Sequence, residues 1–120
     1  MSLIHEQIVR NTEVTGTITA LNGTVEIPFE GKQSCAVVIS GIWVGTLVVE
    51  ASCNGGTSWT TVWVSTINQS PVSLGSPIPS TSITANGTYK VFNTSGVTLY
   101  RVRASLFTSG TVSVVLQAVS

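Results

Sequence analysis

The run Ser52-Cys53-Asn54-Gly55-Gly56-Thr57-Ser58-Trp59 constrains this chain most, because it sets a tight turn between two strand-forming segments and follows it at once with tryptophan. Asn-Gly-Gly supplies the positive φ angles a hairpin turn requires, and residues 46–52 and 58–65 on either side are rich in β-branched side chains. A β-hairpin is expected there, with Trp59 in the core. The same chemistry recurs along the chain. Val, Ile and Thr contribute 18, 9 and 17 of the 120 residues, and their stiff side chains suit pleated sheet.

Strands are expected over residues 15–21, 24–29, 34–40, 46–52, 58–65, 88–93, 98–107 and 111–118, and nothing reads as helical. Turns are expected at Asn22-Gly23, 41–45, 54–56, Asn86-Gly87, Ser95-Gly96 and Ser109-Gly110. Their regular recurrence predicts an all-β fold, an antiparallel β-sandwich of jelly-roll type with about eight strands. Residues 67–82, with Pro71, Pro77 and Pro79, break the rhythm and read as a loop crossing between sheets. Two units follow: an N-terminal arm over 1–13 and a sandwich domain over 14–120. In the arm, Leu3, Ile4, Ile8 and Val9 have no obvious strand partner; the alternative is a frayed terminus or a single helical turn.

Alternation along the strands makes several of them apolar on both faces. Trp59 and Trp63 share one side of their strand and Val62 and Val64 the other, while Ala36 and Val38 lie opposite Cys35, Val37 and Ile39. A half-buried sheet needs one apolar face, so the second face should meet another subunit or the arm. Scattered valines tolerated on a neutral surface are the alternative. Only 8% of residues are charged, against about 25% in average proteins. Five Lys and Arg balance five Glu, which leaves no basic stripe for nucleic acid. No apolar run is long enough for a membrane-spanning helix. The start MSLIHEQIVRNTE lacks the pattern of a secretory signal, so cytoplasmic synthesis is expected. The sequons at Asn22, Asn68, Asn86 and Asn93 then read as turn chemistry.

Cys35 and Cys53 flank the expected 41–45 turn and could stand opposite each other; two reduced, buried thiols are expected over a disulfide. Two Cys and the single His5 do not make a ligand set, so no metal or other cofactor is expected. Glu26 and Glu50 take the solvent phase of their strands, and no nucleophile or phosphate-loop motif occurs. No catalytic site is expected.

The Ser52-to-Trp59 run resembles the Asp-box hairpin of sialidase-type propellers, with Asn54 in place of the usual Asp and Ser58 in place of Thr. That likeness implies a structural hairpin packed by Trp59, and no activity. A wider resemblance runs through Gly45-Thr46-Leu47, Ser52 to Trp59, Ile83 to Tyr89, Tyr100 to Ser105 and Thr108 to Val112. These segments are similar to small β-sandwich modules of tailed-bacteriophage virion proteins, both head-decoration (cement) proteins and fibre modules. The resemblance implies a structural protein made in the host bacterial cytoplasm and carried on the capsid surface. It would bind the major capsid protein as a homotrimer, with the arm residues Leu3, Ile4, Ile8 and Val9 reaching across neighbouring subunits. Arg101 and Arg103 share one side of a strand, where they would pair with acidic groups of a partner or face solvent. The competing expectation is a carbohydrate-binding module of a fibre or capsid surface, in which Trp43 and Trp63 stack on a glycan.

Overall fold

The computed structural model describes residues 11–67, 79–92 and 96–120. Its regular structure is entirely antiparallel strand: β1 (Asn11–Ile18), β2 (Thr24–Pro28), β3 (Ser34–Ser52), β4 (Thr60–Val62), β5 (Val64–Thr66), β6 (Gly87–Val91) and β7 (Leu99–Val119). The all-β expectation holds, but the strands are divided differently. The segments expected at 34–40 and 46–52 run on as one 19-residue strand, and those at 98–107 and 111–118 as one of 21 residues. The strand expected at 58–65 is instead interrupted at Trp63.

The mergers have one cause. The glycine-rich stretches read as separate turns lie opposite each other in the β3–β7 pair, Trp43 against Gly110 and Val44 against Ser109. Glycine serves close approach there. A Cβ on Gly41 would sit 2.5 Å from the Thr111 carbonyl oxygen, one on Gly45 2.5 Å from that of Leu106, and one on Gly110 would strike the Ile42 carbonyl and Trp43 Cα. Register shifts at Val44/Gly45 and Thr46/Leu47 add extra residues on the β7 side, and such bulges bend and twist a ribbon.

Alternation passes unbroken through this bend on β3, whereas on β7 the two bulges shift its phase at Phe107 and then restore it. On β3, Cys35, Val37 and Ile39 before it and Leu47, Val49 and Ala51 after it are all buried; on β7, Tyr100, Val102 and Ala104 match Val112, Val114, Leu116 and Ala118. All belong to one core, against which Trp43 and Phe107 pack from the bend. A ribbon that buries the same face at both ends in one core must curl around it. The ribbon thereby divides the single seven-stranded sheet into two halves. One holds β1, residues 112–119, residues 34–41, β6 and β5; the other holds β2, residues 99–103, residues 48–52 and β4.

Other expectations shift with this geometry. Because 41–45 is no turn, Cys35 and Cys53 lie at opposite ends of β3, both free, and Cys53 is exposed rather than buried. Burial pushes the Cys35 thiol up to about 12, so it stays protonated. Among the described residues β1 already includes Asn11, Thr12 and Glu13 of the expected arm, while Leu3, Ile4, Ile8 and Val9 lie outside the described residues. Much of the expected crossing loop, 68–78, lies outside them too; beyond it Ser80 bridges to Val64 and Ile83 to Leu47. Asn22, with φ 67°, forms the expected turn between β1 and β2.

Candidate interaction surface

Each half of the sheet turns one face to the core and one outward, and the two outward faces differ. On the β2–β4 half, strand register puts Thr61, Glu50, Arg101 and Glu26 in one row. Alternation sends Glu50 outward, yet it is only 6% exposed. Arg101 Nε donates to Glu50 Oε1 at 2.7 Å, and Arg103 Nη2 donates to Oε2 at 3.0 Å. Arg103 also donates to the Asn22 side-chain oxygen. The Arg101 guanidinium lies 4.0 Å from the centre of the Trp59 ring. Burial pushes the Glu50 carboxyl up, but hydrogen bonds from Arg103 and Arg101, with their charges, outweigh it and hold it below the usual range.

The loop that covers this face is the hairpin of residues 53–59. Ser52 Oγ accepts from the Gly56 amide at 2.8 Å, and Asn54 Oδ1 accepts from the Ser58 amide at 3.0 Å while Asn54 Nδ2 donates to Ser58 Oγ. The Gly55 amide donates to Thr98 Oγ1, pinning the loop to the residue before β7. Side chains thus meet the turn's backbone needs. Trp59 is carried outward over Arg101, so it is half-buried on the outer face and not a core residue. Glu50 is likewise buried and paired, contrary to its expected solvent position. Arg101 and Arg103, expected to seek a partner's acids, have their acid within the chain.

Among the described residues, no such loop covers the other outer face, although Ser65 on it is only 8% exposed. There Val38, Trp63 and Phe92 are exposed, Trp63 by 53%, and the Phe92 amide donates to the Trp63 carbonyl at 3.0 Å, which sets the two rings on neighbouring strands. Lys90 Nζ lies 5.6 Å from the Phe92 ring centre. Ser34, Cys35, Lys90, Val91 and Phe92 line an open depression of about 540 Å³ beside them. Beyond Ser40, β3 exposes Ile42, by 91%, and Val44 at the bend, with Leu106 on β7. Single exposed hydrophobes are ordinary, but several large ones on one face point to an interaction surface.

The two tryptophans expected to stack on sugar are not brought together. Trp43 is on the inner side of the ribbon, packed partly against the core, and its Nε1 donates to Asn86 Oδ1 at 2.7 Å. Trp63 points outward. Sequence reasoning singled out Val38 and Trp63 but passed over Ile42, Val44, Lys90, Phe92 and Leu106. For Phe92 and Lys90 the signal was available, since the alternation that buries Tyr89 and Val91 sends both outward. Among the described residues, no group of three His, Cys, Asp or Glu is placed to hold a metal ion.

No family model and no curated protein matches this sequence. Among solved structures, the chain is similar to the crystal structure of SPBc2 prophage-derived protein YomS, with a TM-score of 0.73, 18% identity, and coverage of 98% of this chain and 100% of that one. At that identity the likeness is one of fold.

Proposed function

We propose that this protein is a non-catalytic structural component of a tailed-phage particle, a β-sandwich-type module that works through protein contacts made on the outer face carrying Val38, Trp63 and Phe92. The observation that carries this reading is the set of exposed apolar side chains on one face, Phe92, Trp63, Val38, Ile42 and Val44. A likeness spanning the whole of a prophage-derived protein supports the phage setting. Capsid decoration is the role favoured by the sequence resemblance. Leu3, Ile4, Ile8 and Val9 precede the edge strand β1 in the sequence, and we assign them to the same attachment. Arg101 and Arg103 leave the attachment surface, because Glu50 already engages both. A glycan reading loses its paired platform, since Trp43 faces the core side.

The test is co-sedimentation with phage particles produced by the strain that encodes the chain. Val38→Asp and Trp63→Ser should leave circular dichroism and melting unchanged and remove the protein from the pellet. Undiminished co-sedimentation of both folded variants contradicts the reading.

A further inference from the structure

Strand register lays the open face out in rows. One row runs Ser65, Lys90, Ala36, Gln117, Glu13 across β5, β6, β3, β7 and β1, and the next runs Thr88, Val38, Val115, Thr15 across β6, β3, β7 and β1. Lys90 and Glu13 are both exposed, and neither takes part in the ion pairs of Glu50 with Arg101 and Arg103. Three strand spacings, roughly 14 Å, separate Lys90 from Glu13, too far for them to pair within one copy. Lys90 and Glu13 therefore stand as opposite charges on either side of Ala36 and Gln117, with Ser65 buried beyond Lys90, and the next row sets Val38 beside Val115.

That layout is complementary to itself. A two-fold axis parallel to the strands and running between β3 and β7 turns the face onto its copy and exchanges left and right. Lys90 then meets Glu13 of the second copy, Glu13 meets its Lys90, and Val38 of each copy meets Val115 of the other. Thr88 falls on Thr15, and Ala36 on Gln117. We propose that the open face pairs with the same face of a second copy across this axis, as an isologous dimer. The proposal rests on reading that face as an assembly surface, and it names the occupant.

The dimensions agree. Stacked sheets lie about 10 Å apart, a gap that a lysine and a glutamate span between them. Aligned sheets rotate by about 30°, which moves the margins by a few ångström, and lysine's flexible stem absorbs that shift. The four strands that overlap, β6, β3, β7 and β1, at about 4.8 Å spacing and eight residues at about 3.4 Å, give a footprint of roughly 500 Å² per copy, with β5 beyond it. Stable interfaces bury about 800 Å² per partner, so association is expected in the micromolar range.

Sedimentation equilibrium of the full chain, from about 1 to about 200 µM, tests this with a charge swap. The wild type should approach twice its monomer mass. Lys90→Glu and Glu13→Lys should each raise the dissociation constant at least about tenfold, since each turns two symmetric attractions into repulsions, and the double variant should restore it. Circular dichroism checks that all three variants fold. A wild type that stays monomeric, a trimer mass, or a double variant as weak as the singles overturns the dimer. A monomeric wild type whose particle binding is still lost in Val38→Asp overturns the dimer alone and leaves the assembly reading standing.

Discussion

The two outward faces of one sheet have opposite fates. On the β2–β4 half, a loop seven residues long folds back, and the charges beneath it are answered within the chain: Glu50 by two arginines, Arg101 also by Trp59, Arg103 also by Asn22. On the other half, Trp63, Phe92 and Val38 stand in the open and Lys90 and Glu13 lack an ionic partner among the described residues. Both faces belong to strands with the same β-branched composition. What separates them, among the described residues, is the loop of residues 53–59 that folds back over one surface and not the other. The closed face should therefore carry stability, and the open face should carry assembly.

Four measurements break or sharpen that contrast. The largest effect is expected from Glu50→Ala, which leaves two guanidinium groups beside a buried site with no counter-charge; urea unfolding should report a loss of about 3 kcal/mol. Trp59→Ala removes a half-buried ring and its cation–π contact, and the same assay should give a loss of about 2 kcal/mol. Acid should act on the closed face too, by a smaller amount. The Glu50 carboxyl titrates below its ordinary 4.5 in the fold, so the stability it confers is full above that value and falls away as pH drops through the lowered one. Melting temperature against pH should show this loss in the wild type and show it flattened in Glu50→Ala. The smallest effect belongs to the open face: Trp63→Ser should change the unfolding free energy of the monomer by less than about 0.5 kcal/mol.

How much of this was legible in the sequence depends on how local the chemistry is. The hairpin of residues 46–62 could be read directly, because Ser52, Asn54, Gly56 and Ser58 satisfy one another within seven positions. The long strands could not. Gly41, Gly45 and Gly110 carry turn chemistry when each stretch is read alone, and only their pairing across β3 and β7 turns two apparent turns into one bend. Alternation placed Glu50 outward correctly but could not bury it, since its cover comes from Trp59 and from arginines some fifty positions further along. The same pattern revealed two-faced strands in Ala36–Val38 and Trp63. It could not say which second face would be covered, because that depends on where the 53–59 loop lands. Trp43 and Trp59 exchange their expected roles for a related reason: parity through the bend puts Trp43 on the core side, and the hairpin carries Trp59 away from it.

Hydroxyl-radical footprinting of the free and particle-bound protein, read residue by residue by mass spectrometry, tests most directly which face does the assembling. The account predicts that Trp63 and Phe92 oxidise readily in the free protein at submicromolar concentration and become protected on the particle, while Trp59 keeps the same low reactivity in both. Unchanged oxidation of Trp63 and Phe92 on the particle, with protection appearing at Trp59 or Leu99 instead, would assign assembly to the closed face and contradict the account.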